Sequence, residues 1–236
     1  QHQNQHLPKL VLVVSEDSWS KNHKTDDEFL EIKKTSLGFL NKLTIEKYDL
    51  ICTKFMELMD GFTFTETQLN EFVPATYEII LKQLKYNDIF SRLFKKYNNK
   101  EFFEAIKEKS KKEFLIGIGE IEDDRKITSL LEDPNDIKKR YTYNNLLFIV
   151  DLYNIRIISK DDINDYIKKL ITIETIEMLC HISKYLFKIH KNGLYEEIVE
   201  FLKTTSKDKK HPPKIRFGCM DVLDIIGTKV EGIDHQ

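Results

Sequence analysis

Apolar residues recur at helical spacing along almost the whole chain, and the residues that break helices are scarce. Eight glycines and five prolines among 236 residues leave few positions that would interrupt that spacing. After Thr44, which predicts an N-cap, Ile45, Tyr48, Ile51, Cys52, Phe55, Leu58 and Met59 fall on one helical face. A second face opens at Ser159 or Lys160 and carries Ile163, Tyr166, Ile167, Leu170 and Ile171. Ile173, Ile176, Leu179, Cys180, Ser183, Leu186 and Phe187 form a third, and Leu194, Ile198, Phe201 and Leu202 a fourth. Phe217, Met220 and Leu223 form a fifth, with Cys219, Val222 and Ile226 alongside. Helices are also predicted over 27–40, 67–84, 88–97, 100–116 and 136–157. Pro74 must either kink the 67–84 helix or stand in its first turn. Strand-like alternation is confined to residues 9–14.

The prediction is therefore all-α, with ten helices joined mostly by short loops, so that consecutive helices lie antiparallel. They sort into hairpins over 27–59, 67–97, 100–157, 160–190 and 193–226, and all but the third are about 31–34 residues long. Such a repeat predicts an α-solenoid of about five hairpins, although a globular ten-helix bundle would show the same periodicity. Residues 1–26 are expected to be an extended or mobile partner-binding segment, 27–227 the helical-repeat domain, and 228–236 a tail. Residues 117–135 interrupt the third hairpin with a charged connection, and 206–213 form a basic turn before the last helix.

Composition narrows the function classes. With 37 Lys and Arg against 39 Asp and Glu the net charge is −2, so the chain is no polycation and nucleic-acid contact needs a local patch. At 41% apolar and 32% charged it is neither disordered nor collagen-like. Cys52, Cys180 and Cys219 lie far apart in sequence, no CxxC occurs, and buried thiols in a reducing compartment are expected. The apolar run from Leu10 to Val14 is too short to span a membrane and lacks a signal-peptide frame. The expected protein is a soluble, cytoplasmic monomer, and a chain beginning at Gln1 is expected to be a segment of a longer one.

No arrangement points to catalysis. Gly117-Ile118-Gly119 lacks the third glycine, the lysine and the preceding strand of a phosphate loop. Asp26-Asp27-Glu28, ahead of the predicted first helix, and Glu122-Asp123-Asp124, in the charged connection, fit solvated carboxylates better than metal sites. His181, between Cys180 and Ile182, is expected to be a hydrogen-bonded core histidine. No serine or cysteine has a base at readable spacing. Basic residues recur instead, at Lys33-Lys34, Lys95-Lys96, Lys107 to Lys112, Lys138 to Arg140, Lys168-Lys169 and Lys207 to Lys210. A solenoid can align such residues for phosphate contact, but most serve as the wet faces of helices. Lys outnumbers Arg by 32 to 5 and Ile reaches 28, a bias that weakens the lysine clusters as evidence of function.

Three segments go beyond periodicity. Residues 32–58, IKKTSLGFLNKLTIEKYDLICTKFMEL, carry Phe39-Leu40-Asn41-Lys42-Leu43-Thr44 at the first helix junction. This resembles the opening hairpin of the middle domain of eukaryotic translation initiation factor 4 gamma. Residues 144–170, NNLLFIVDLYNIRIISKDDINDYIKKL, resemble that family's long helix, tight turn and short following helix. Residues 215–226, IRFGCMDVLDII, are similar to its last helix, and Lys112-Glu113-Phe114 and Leu179-Cys180 fall at matching places. The order holds over residues 27–227, and Ser15 to Trp19 resembles, on fewer residues, a segment that precedes the domain.

The resemblance implies HEAT-type repeats in a crescent-shaped scaffold without catalytic activity, cofactor or metal. It implies binding to the DEAD-box RNA helicase of translation initiation, whose lobes the two ends of the crescent grip, and contact with RNA. Trp19, Arg216 and Phe217 are the helicase-binding residues it implies. Asp221 and Asp224 share the C-terminal end, as contacts or as partners of Arg216. Lys33, Lys34, Lys111, Lys112, Lys209 and Lys210 are the candidate RNA contacts. Other cap-complex and ribosome-associated factors would bind through regions outside this segment.

The chain departs from the family pattern in four places. Gly227-Thr228-Lys229-Val230 replaces a Trp-containing segment, and Lys184 to Phe187 stands where a glycine-containing turn is expected. Pro74 falls inside a helix that is normally uninterrupted, and the third-hairpin connection is short. The rival readings are a related HEAT scaffold of mRNA decay or nuclear cap binding, and a plain RNA-binding solenoid.

Overall fold

The computed structural model describes residues 16–83, 85, 88–187 and 194–231; the side chains of 16–25 and 228–231 lie outside the described residues. Ten α-helices and no strand occur among the described residues. They are α1 (Glu16–Asn41), α2 (Tyr48–Met59), α3 (Glu66–Leu81), α4 (Ile89–Tyr97) and α5 (Lys100–Gly117). The second half holds α6 (Pro134–Asn154), α7 (Lys160–Leu170), α8 (Ile176–Leu186), α9 (Tyr195–Lys207) and α10 (Pro213–Glu231).

Local chemistry sets most of the boundaries. Thr65 opens α3 with a capping box, its hydroxyl accepting from Gln68 N–H at 3.2 Å while Gln68 Oε1 accepts from Thr65 N–H at 3.0 Å. Ser159 and Asp162 repeat the device at α7, with both bonds at 3.1 Å. Proline stands at the first position of α6 and of α10, where its missing N–H has no intrahelical partner to lose. Pro74 lies inside α3, so the helix does not start there, and the carbonyl one turn earlier loses its donor. The tight turn after α6 is a Schellman cap, with Arg156 N–H on Tyr153 O at 3.0 Å and Ile157 N–H on Leu152 O at 2.9 Å. Arg156 holds φ +67° there, a position that glycine usually fills.

Three boundaries differ from the sequence prediction, one of them at the C-terminal end, where α10 runs to Glu231 and the predicted tail from residue 228 begins inside it. Helix α1 begins at Glu16, so the predicted boundary at residue 27 falls inside a helix and residues 16–26 are helical. Those residues are polar but contain no glycine or proline to stop the helix nucleated by buried Phe29 and Ile32. Helix α2 begins at Tyr48, because Thr44 accepts from Lys47 N–H at 3.3 Å in a turn of its own and Ile45 is left exposed.

Helix pairing follows chain order. Helix α1 packs on α2 and α3, α3 on α5, and α5 on α6, while α2 leads to α4, α4 to α6, α6 to α8 and α8 to α10. Helices α7 and α9 pair with α8 and α10. Each helix buries its face against near neighbours in the chain, the stacking of an α-solenoid.

Aromatic rings fill the first half of the core: Phe94 meets Phe102 edge-on at 4.9 Å and Tyr77 meets Phe148 at 5.4 Å. Helix α6 is central and is pinned by polar side chains. Asn144 Nδ2 donates to the carbonyls of Leu81 at 2.9 Å and Gln83 at 2.6 Å, which closes the end of α3. Asn145 accepts from the Tyr77 hydroxyl and donates to Ser110 O at 3.1 Å, so one buried amide joins α3, α5 and α6.

Candidate functional site

The last helix has two apolar stripes, and only one is covered. Cys219, Val222 and Ile226 are buried against α8 and α9, whereas Phe217 is 57% exposed and Met220 39% exposed. Asp221 and Asp224 are exposed on the same outer side, because 217, 220, 221 and 224 recur at helical spacing. Phe217 is therefore no core residue. The Arg216 guanidinium carbon lies 5.9 Å from the Phe217 ring centroid, and its Nε is buried without a hydrogen-bond partner. An exposed aromatic and methionine rimmed by an arginine and two carboxylates has the residue types that anchor protein interfaces.

The base of this helix is held firmly. Lys214 donates to Glu177 of α8 at 2.7 Å, and Lys139 of α6 stands 3.5 Å from the same carboxylate. The Lys214 bond holds the Glu177 carboxyl below its usual range. Cys180 and Cys219, distant in sequence, become neighbours across α8 and α10, where their mutual hydrogen bond and burial push the Cys180 thiol up. All three cysteines are free. His181 packs edge-on against Tyr143 at 4.6 Å, and burial pushes its pKa down to about 4, so the ring is neutral at pH 7. Its Nε2 is buried without a partner, so the expected hydrogen-bonded histidine is half satisfied.

The lysines do not converge. Lys33 and Lys34 lie on α1, Lys111 and Lys112 on α5, and Lys209 and Lys210 in the turn before α10. Lys33 pairs with Glu71 of α3, while the other five are exposed and carry no ion pair among the described residues. Trp19 falls within α1, but its side chain lies outside the described residues.

The remaining motifs have structural roles. Gly117 lies where α5 meets α6: a Cβ there would stand 2.8 Å from Thr142 Cγ2. Gly119, with φ +80°, forms a Schellman cap, its N–H on Ile116 O at 3.1 Å and Glu120 N–H on Leu115 O at 2.9 Å. Asp26, Asp27 and Glu28 are exposed in the middle of α1 rather than ahead of a helix. Asp123 is engaged by Arg125, whose Nε and Nη2 donate to its two oxygens at 2.7 Å and 3.1 Å. Burial pushes the Asp123 carboxyl up, but the Arg125 bonds more than offset it and the net shift is down. Among the described residues no group of three His, Cys, Asp or Glu could hold a metal ion, and no helix is long and apolar enough to cross a membrane.

The sequence did not reveal the centre of this polar web. Arg125 also donates to Glu113 at 2.9 Å, a carboxylate only 4% exposed, which Lys109 shares at 2.7 Å. The bonds tie the 118–133 connection to α5, so that this segment forms the wall of a cavity rather than a free loop. The charged run around Arg125 was visible in the sequence, but its partners were not.

No family model matches the chain. It is similar to eukaryotic translation initiation factor 4 gamma 1 of Oryctolagus cuniculus, 25% identical over 143 residues, which is 58% of this chain and 10% of that protein. The same factor of Mus musculus is 25% identical over 144 residues, 58% of this chain and 9% of that protein. The chain thus spans about a tenth of the length of these relatives.

Proposed function

We propose that the chain is a helical scaffold of translation initiation, equivalent to the middle domain of initiation factor 4 gamma. In this reading it binds the DEAD-box RNA helicase of the cap-binding complex in the cytoplasm. The observation that carries the proposal is the outer face of α10, Phe217 and Met220 beside Arg216, Asp221 and Asp224, in a chain similar to that factor. The apolar pair supplies desolvated contact, and the charged rim orients a basic or acidic partner group.

In this reading the helices stack as HEAT-type repeats, with this face at one end and the α1–α2 hairpin, with Trp19, at the other. A scaffold that touches both helicase lobes acts by population shift: it raises turnover to the extent that it binds the productive lobe arrangement more tightly than the open one. Exposed Lys34, Lys111, Lys112, Lys209 and Lys210 provide dispersed phosphate contacts, so RNA binding is secondary, sequence-tolerant and salt-sensitive.

The test is helicase binding by wild type, Phe217→Asp and Arg216→Glu, with helicity and melting measured on each. Phe217→Asp should weaken binding at least tenfold, the loss of about 1.4 kcal/mol or more that truncating an anchor residue causes. Because Phe217 is exposed, the variant should melt with wild type. No capture of the helicase by the folded wild-type chain would overturn the assignment. Capture unaffected by either substitution would move the interface away from α10.

A further inference from the structure

Helices α8 and α10 pack directly on each other, and each brings a free cysteine to the seam. Lys214 of α10 donates to Glu177 of α8 at 2.7 Å, which fixes the two helices in register. Cys180 follows Glu177 by nearly one turn and Cys219 follows Lys214 by little more than one, so the same alignment brings the two thiols together. We infer that Cys180 and Cys219 form a dithiol modification site, which a peroxide closes reversibly to a disulfide.

The pair is asymmetric. Cys219 is fully buried, whereas Cys180 is partly exposed at the edge of the seam, so a small uncharged oxidant meets Cys180 first. The bond between the thiols holds the proton on Cys180, and Lys184, one turn further along α8, works against it by favouring a thiolate. The two thiols titrate as a unit, so loss of one proton leaves a single negative charge between them. In the first step the Cys180 sulfur attacks one peroxide oxygen and the O–O bond breaks. A sulfenic acid forms, and the hydroxide released takes up the proton that the pair had lost. In the second step the Cys219 sulfur attacks the sulfenic sulfur, and the S–O bond breaks as the oxygen leaves as water with the Cys219 proton. Two thiols are oxidised to one disulfide, and one hydrogen peroxide is reduced to two waters.

The bridge closes residues 180–219 into a loop that contains all of α9, and it ties the α9–α10 hairpin to α8. A cross-link constrains the unfolded chain, so the oxidised form resists unfolding more than the reduced one. In reducing surroundings such a bridge is transient, which suits a redox response rather than a permanent staple. Cys219 lies between Phe217 and Met220, so the bridge also restrains the turn of α10 that carries the outer apolar face. The site is independent of the proposed helicase contact. Cys52 is an internal control: it is buried on α2, which pairs with α1 and α4.

The experiment exposes the folded full chain to a small molar excess of hydrogen peroxide, removes the excess with catalase, alkylates the remaining thiols in denaturant and maps the peptides by mass. Wild type should keep one of its three thiols, that of Cys52, and should yield peptides joined through Cys180 and Cys219. Dithiothreitol should restore all three thiols and lower the urea midpoint from that of the oxidised chain. Cys52→Ser should form the same bridge, and Cys180→Ser should form none within the chain. Survival of all three thiols would overturn the site. So would oxidation that stops at an acid of Cys180, or bridges that join two chains or include Cys52. The map is read on wild type, so these outcomes remain decisive should Cys180→Ser fail to fold.

Discussion

Replacing Asn145 with alanine is expected to remove about 2–4 kcal/mol of folding stability, the largest effect of any single polar substitution in the core. Its side chain accepts from the Tyr77 hydroxyl and donates to Ser110 O at 3.1 Å, and Tyr77 is fully buried. Truncation removes the acceptor of the buried Tyr77 hydroxyl, at about 1–3 kcal/mol, and opens a small cavity beside it, while Ser110 O inside α5 keeps its helix bond and loses only a second donor. Urea unfolding should show a lower midpoint at constant slope. The pair can also be removed together: Tyr77→Phe in an Asn145→Leu background should recover part of the loss, because no buried hydroxyl is then left without its acceptor. Equal losses in the single and double variants would show that packing at this junction, rather than the buried amide, holds α3, α5 and α6 together.

Acid should weaken the fold through His181 before the carboxylates titrate. Burial pushes its pKa down to about 4, and the charge of Lys184 adds to this. The sign follows from proton uptake. Below the unfolded value of about 6.5 the unfolded chain binds a proton that the native chain refuses until about pH 4, so stability is full above 6.5 and is lost as pH falls through that window. The loss approaches about 2–3 kcal/mol at the acid end. His181→Phe keeps an aromatic ring against Tyr143 and removes the unpartnered Nε2. The variant should therefore gain on wild type steadily between pH 6.5 and 4.5, as read from urea midpoints at each pH. Parallel curves for the two proteins would show that His181 protonates as readily in the native chain as in the unfolded one.

Periodicity made the helices legible, because ten elements packed by local neighbours need little more than a covered face and short loops. It failed where covering, rather than sequence, decides. Helix α10 has Phe217, Met220 and Leu223 on one stripe and Cys219, Val222 and Ile226 on the next, and both are apolar. Contact with α8 and α9 selects the second stripe and draws Leu223 against the core, and Phe217 and Met220 are left as a surface. Polar residues 16–26 have no such face, yet they continue α1 because nothing in them stops it. The Arg125 web was illegible for another reason: Glu113 and Asp123 precede it by 12 and 2 residues, and only the folded connection turns a run of charges into a partly buried cluster with a cavity behind it. The lysines at 33, 34, 111, 112, 209 and 210 were visible as clusters, but they occupy three separate places, so their number in the sequence overstated any single patch.

On the proposed function, this helical stack acts on a helicase by favouring one arrangement of its lobes. Steady-state ATP turnover of the DEAD-box initiation helicase, with RNA saturating and the chain titrated in, tests it most directly. Turnover should rise with added chain to a plateau and should rise less with Phe217→Asp. Turnover that stays at the level of helicase alone, with the chain folded and in excess, would show that the stack does not favour a productive lobe arrangement.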